Sequence, residues 1–130
     1  MSNLAIPDAL IPLLTSNVVG IAATVRPDGS PATAHLWVDW DGEHLLFSSR
    51  TGARKSRNLR ANPNVAMHLM DPASSVWMAI RGHVIETRPD VDLAFIDRLS
   101  MRYIGSTYPY RDFAREIFVV ELDHVLSSAG

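Results

Sequence analysis

Two Asp-Gly pairs, Asp28-Gly29 and Asp41-Gly42, stand between short runs rich in β-formers and constrain this 130-residue chain more than any other feature. An Asp-Gly pair tolerates the positive φ angles that a tight hairpin demands, so each pair predicts an antiparallel connection. Between them "ATAHLWVDW" (32–40) alternates, with Ala32, Ala34, Leu36, Val38 and Trp40 on one parity and Thr33, His35, Trp37 and Asp39 on the other. Further strands are expected at 18–25, 43–49, 65–71, 76–87 and 116–122. The run 18–25 is continuously apolar, as in a strand buried on both faces. On the strand 76–87, Trp77, Ala79, Arg81 and His83 share one face. About six hairpin-linked strands with few helices point to a mainly β (α+β) antiparallel barrel and not to a parallel sheet.

Helices are expected in three places. "IPDALIPLLTS" directs Leu10, Leu13 and Leu14 to the core, and 89–105 carries acids in its first turn and Gly105 as its stop. The third is short, opens near Arg54 and ends before Pro63, because the residue preceding a proline is pushed out of helical geometry.

That third helix lies in "FSSRTGARKSRNLRANP" (47–63), which holds Arg50, Arg54, Lys55, Arg57 and Arg60, five of the chain's twelve basic residues. Lys55 is the only lysine. Cations oppose the dipole at a helix start unless an anion is present, and a helix N-terminus is a natural seat for phosphate. Ser48, Ser49 and Thr51 add hydroxyl donors. The arrangement reads as a phosphate site, with a solvated basic helix as the plain alternative. On this reading Lys55 serves binding and hardly affects folding, while Arg60 points elsewhere. Thr33, His35 and Trp37 form a face able to line a flat ring, or one that a partner subunit covers.

The net charge of −2 argues against a general nucleic-acid or polyanionic-membrane binder. No run reaches the ~18 apolar residues of a membrane helix, no leader is read at the N-terminus, and a cytoplasmic protein is expected. With no cysteine, thiolate chemistry is excluded. The histidines show no metal-ligand spacing, so no metal site is expected. No Gly-x-Ser-x-Gly elbow or Gly-x-Gly-x-x-Gly turn supports a hydrolase or a Rossmann fold.

The segment "TVRPDGSPATAHLWVDWDGEHLLFSSRTGARKSRNLRANPNVAMHLMDP", followed by "VWMAIRGHVIET", resembles the pyridoxamine 5'-phosphate oxidase-like, flavin-binding split-barrel superfamily. Within it, the likeness is to the small coenzyme F420-dependent reductases. The most specific parts are the Arg26–Pro31 hairpin, Trp37, Lys55-x-x-Asn58-Leu59, Asn62-Pro63 and Arg81-Gly82. The resemblance implies a Greek-key-like split barrel of about six strands spanning 1–130 as one cofactor-binding domain. It implies a homodimer with cofactor at the interface, the phosphate near Arg54, Lys55 and Asn58, and strand-end contacts at Ser48 and Ser49. The strand around His35–Val38 would run under the ring, with Trp77 approaching from the other subunit. His35 stands where many relatives carry proline.

The function so implied is an oxidoreductase passing a hydride from the deazaflavin coenzyme F420 to a small unsaturated or conjugated acceptor. The alternatives are an FMN-dependent reductase or oxidase on the same fold, or a non-enzymatic flavin or deazaflavin carrier. Catalytic side chains are not identified, because such a cofactor carries the hard chemistry. His35, Tyr108 and Tyr110 are candidate proton donors. Trp37 and Trp77, read as out-facing, call for the cover a homodimer gives.

Overall fold

The computed structural model describes residues 4–128. Its elements are a 3-10 turn (Asp8–Leu10), α1 (Pro12–Thr15), β1 (Gly20–Val25), β2 (Pro31–Leu36), β3 (Val38–Trp40), β4 (Leu45–Arg50), α2 (Arg54–Ala61), β5 (Asn64–Met70), β6 (Trp77–Pro89), a second 3-10 turn (Val91–Leu93), α3 (Ala94–Ile104) and β7 (Arg115–Ser127). All strand pairs are antiparallel, in the order β2-β1-β5-β6-β7-β4-β3.

Both Asp-Gly pairs turn the chain as expected. Gly29 has φ +87° and Gly42 has φ +97°, conformations that a side chain would strain. Asp28 accepts from the Ser30 N–H (3.0 Å), and Asp41 accepts from the N–H groups of Glu43 (2.8 Å) and His44 (2.6 Å). The apolar core under the sheet includes Leu14, Leu45, Phe47, Leu69, Met78 and Phe118. Each such residue, fully buried, contributes about 1.5–3 kcal/mol.

The expected six strands are seven, and the sheet is not closed. The alternating run 32–40 breaks at Trp37 into β2 and β3, which lie at opposite edges of the sheet. Seven strands spaced ~4.8 Å apart would span about 29 Å if flat. Leu36 and Val38 can be separated by no more than about 7 Å of chain. The sheet must therefore roll until its edges nearly meet, without a ladder between β2 and β3.

The last turn of α3 satisfies that split. The Tyr103 hydroxyl donates to the Val18 carbonyl (2.7 Å) and accepts from the Val38 N–H (3.1 Å). Arg102 donates to the carbonyls of Ser16 and Val38 and to Asp39. Burial pushes the Tyr103 hydroxyl above its usual range, so it stays a neutral donor. Burial opposes ionisation of Asp39, but hydrogen bonds from Arg98 and Arg102 outweigh it and hold the carboxyl below the usual range. At the first turn of α3, Asp90 accepts from the N–H groups of Phe95 (2.8 Å) and Ile96 (3.0 Å), while at its C-terminal end Gly105 stops the helix at φ +76°.

Other expectations shift. β1 is not buried on both faces, for Ile21 is 47% exposed. The doubly buried strand is β4, whose second face, through Leu46, packs with Leu99 of α3. β7 runs past residue 122 to Ser127 because Ala79 and Ile80 of β6 pair with Leu126 and Val125. Gly82 sits at a register shift where a Cβ would lie 2.5 Å from the Glu121 carbonyl oxygen, so the close approach of two backbones requires glycine.

Candidate cofactor site

Gly52, at φ +84°, turns the chain from β4 into α2. Ala53 occupies the N-cap and offers no side-chain acceptor, and no acid lies in the first turn. The N–H groups of that turn therefore have no partner within the helix and face outward as donors. Beneath them, Ser49 and Ser56 share a hydrogen bond of 2.9 Å while the Ser56 hydroxyl donates to the Arg50 carbonyl (2.8 Å). These buried bonds fix α2 onto the end of β4.

Lys55, half-buried in the first turn, lines two neighbouring cavities. One, of about 170 Å³, is formed by His35, Leu36, Trp37, Ser48, Lys55, Ile96, Tyr108 and Arg115. The other, of about 120 Å³, involves Thr33, Ala34, Arg54, Lys55 and Asn58 with neighbouring small side chains. Neither is lined by a carboxylate. Burial, with the nearby Arg115 adding to it, depresses the Lys55 ammonium to about 8. Burial likewise lowers Arg115, whose Nε donates to the Ser48 hydroxyl (2.8 Å) and whose Nη1 reaches the Tyr108 hydroxyl (3.4 Å). Two cations facing one cavity that no carboxylate lines make a seat for an anion, although Asp90 offsets part of the Arg115 charge.

The structure gathers most of the sequence-derived residues around Lys55. His35, Trp37 and Ser48 share its larger cavity, while Thr33, Arg54 and Asn58 share the smaller one. Asn58 is buried and donates to the Thr24 hydroxyl (3.1 Å). Ser49 lines neither cavity, because its hydroxyl is engaged with Ser56. Trp77 lies apart, stacked on His68 at 5.5 Å. Trp37 does not continue the exposed face of Thr33 and His35. It stacks on Tyr103 (5.1 Å) and meets Tyr108 edge-on (5.9 Å), so the cover expected from a partner comes from α3 and the loop after it.

Arg115 and Ile96 escape sequence reasoning, and Tyr108, read there only as a proton donor, proves to be a cavity wall. The one available signal for Arg115 is its position directly before the apolar strand. Pairing of β7 with β4 then sets it opposite Arg50, an uncomfortable like-charge pair unless an anion is near. Tyr110 lies outside the cavity and is 70% exposed. Arg60 does not point into solvent alone, since it pairs with the buried carboxylate of Glu116. Among the described residues, no group of three or more His, Asp or Glu side chains could hold a metal ion.

A family model for pyridoxamine 5'-phosphate oxidase matches residues 6–128. The chain belongs to the pyridoxamine 5'-phosphate oxidase family. A structure named F420 reductase is 37% identical, with a TM-score of 0.86 over 93% of this chain and 98% of that one. Two more distant structures share the family's fold. A conserved hypothetical protein of Mycobacterium tuberculosis is 20% identical (TM-score 0.71, 98% of this chain and 87% of that one). General Stress Protein 26 of Bacillus anthracis is 19% identical (TM-score 0.65, 88% and 87%). In this family member, no helix among the described residues is long and apolar enough to cross a membrane.

Proposed function

We propose that this chain is an oxidoreductase that binds the deazaflavin coenzyme F420 and serves hydride transfer to a small unsaturated or conjugated acceptor in the cytoplasm. The observation that carries the reading is the half-buried Lys55 at an uncapped helix start, with no acid lining its cavities. The likeness to a structure named F420 reductase supports the choice of cofactor. When bound, the coenzyme supplies a two-electron hydride donor, which explains why no catalytic triad or carboxylate pair is needed.

The chain's own residues bind and orient. Lys55, Arg54 and the first-turn N–H groups of α2 hold the phosphate. Asn58 fixes α2 against β1 through Thr24. Small side chains at Ala32 and Ala34 leave room beside β2 for a flat ring, with Thr33, His35 and Trp37 bordering it and Ser48 at the strand end. Ser49 acts from below by anchoring Ser56. Tyr108 and His35 both line the larger cavity and can each present a proton there.

The protein works as a homodimer through the outer face of β1, β5, β6 and the end of β7. That face exposes Val19, Ile21, Met70 and Leu126 and carries a shallow apolar hollow of about 460 Å³. Exposed apolar groups so grouped mark an interaction surface. Trp77 borders the same face and can approach a partner's ring from there.

Titrating the cofactor-free protein with coenzyme F420 and with FMN, followed by fluorescence, tests the reading. Tighter binding of F420 is expected. Tighter FMN binding would replace it with an FMN-dependent enzyme on the same fold, and tight binding without turnover of any acceptor would make it a carrier.

A further inference from the structure

The two cavities at Lys55 differ in kind. The smaller is walled by short side chains at the start of α2 and is served by Arg54 and the helix N–H groups. The larger is walled by Trp37, Tyr108 and Ile96, with Arg115 facing it. One phosphate at the helix start accounts for Lys55 and Arg54 but leaves Arg115 with no ion pair, only the longer-range attraction of Asp90. Arg115 is held in place: Ser48 fixes Nε, the Tyr108 hydroxyl meets Nη1, and the guanidinium lies 4.8 Å from the Tyr108 ring centre. Its Nη2 has no hydrogen-bond partner among the described residues. No carboxylate stands within ion-pair distance of it.

A half-buried guanidinium with part of its fork free suits a planar, two-oxygen anion. The volume of about 170 Å³ sets the size of the body attached to it. An apolar cavity of about 150 Å³ accommodates one benzene. Trp37 and Tyr108, edge-on to one another, favour a flat conjugated group over a branched aliphatic one.

We infer that the Trp37–Tyr108–Arg115 cavity seats the acceptor, and that Arg115 selects acceptors carrying a carboxylate on a flat body about one ring in size. As an assignment of the acceptor's seat, this rests on the cofactor reading above; as a carboxylate site, it stands on the cavity alone.

Benzoate and benzamide are matched probes of the same shape that differ in charge. Cofactor affinity is measured first for the parent and for Arg115→Gln, then each probe is titrated into free and cofactor-loaded protein by tryptophan fluorescence. The parent should prefer benzoate by about 10-fold or more, the worth of one charge-assisted hydrogen bond. Arg115→Gln should cut that preference several-fold, with Lys55 in the same cavity keeping a remainder, leave benzamide within about two-fold, and weaken cofactor binding less than Lys55→Met does. Should Arg115→Gln not fold, Arg115→Lys must weaken benzoate several-fold and spare benzamide, because a point charge replaces the fork. Equal binding of the two probes by the parent overturns the inference. So does a loss of cofactor affinity in Arg115→Gln as large as that in Lys55→Met, which would make Arg115 part of the phosphate seat. If the parent binds neither cofactor but keeps an Arg115-dependent benzoate preference, the functional reading falls while the carboxylate site stands.

Discussion

Replacing Lys55 by methionine removes an ammonium from the cavity and keeps a long apolar stem in its place. In the free protein, burial first and the neighbouring Arg115 second depress this ammonium from 10.5 to about 8. The difference of about 2.5 units, at 1.36 kcal/mol each, puts the cost of keeping Lys55 charged at neutral pH on the order of 3 kcal/mol at most. Solvent reaching the cavity screens part of it. Lys55→Met should therefore stabilise the cofactor-free protein. Each 1 kcal/mol raises the melting temperature of a domain this size by roughly 3–5 °C. The pH dependence has a definite sign. Between about pH 8 and 10.5 the unfolded chain holds this proton and the folded one has lost it, so the parent gains stability as pH rises through that window. Below pH 8 the penalty is fully present and constant. The difference between parent and variant should thus be largest at neutral pH and shrink toward pH 10.

Cofactor binding should move the opposite way. An anion beside Lys55 restores its proton, and a charge-assisted bond contributes about 1.5–3 kcal/mol, so Lys55→Met should weaken binding roughly 10- to 100-fold. Parent affinity should fall above pH 8, where Lys55 deprotonates, and the variant's should not. Thermal melts with and without coenzyme, plus fluorescence titrations at three pH values, measure all of this. A more stable variant that binds worse is the expected pair. Unchanged stability together with unchanged affinity would refute the buried-cation argument.

Arg60→Ala should destabilise by about 1–3 kcal/mol, because it strands the carboxylate of Glu116, and adding Glu116→Gln should restore much of the loss; urea melts of the single and double variants decide it, and equal melts for parent and Arg60→Ala would count against the pair. Tyr103→Phe should cost about 1–3 kcal/mol by leaving the Val38 N–H unpartnered at the split, with cofactor affinity kept. Gly82→Ala should cost more than about 2 kcal/mol, since its Cβ would meet the Glu121 backbone and the neighbouring strand cannot yield as a side chain can. Ile21→Glu should give a monomer in sedimentation at concentrations where the parent is dimeric; an unchanged mass would clear β1 from the interface.

What could be read from the sequence was local. Asp28-Gly29, Asp41-Gly42, Gly105 and Pro63 act through the conformations of one or two residues, and all four turn or stop the chain where expected. The cationic start of α2 was legible for the same reason. The break at Trp37 was not, because the parity of 32–40 continues through it undisturbed. Only the stacking on Tyr103, and the Val38 N–H given to a tyrosine hydroxyl instead of a ladder, separates β2 from β3. Trp37 looked unpartnered because its cover comes from a helix more than sixty residues later. Arg115 was hidden in the same way, its meeting with Ser48 spanning 67 residues and depending on the register of β4 with β7.

One helix joins these two illegible features. The C-terminal turn of α3 bridges the split through Arg102 and Tyr103, while Ile96, nearly two turns earlier, lines the larger cavity. Between them Asp97 accepts from the Tyr108 N–H (2.9 Å) and pairs with Arg111, which ties the loop bearing Tyr108 back to the helix. Hydrogen bonds from Arg111 hold the Asp97 carboxyl below its usual range, so this tie persists in mild acid. The wall of the cavity is therefore set by the element that completes the rolled sheet. The proposed phosphate seat depends instead on β4, α2 and their serine pair. Substitutions along α3 and its loop can reshape what the larger cavity accepts while leaving the start of α2 intact. If the two seats are as proposed, substitutions at Ile96 or Tyr108 should alter acceptor choice more than cofactor affinity, whereas Lys55, which lines both cavities, should touch both.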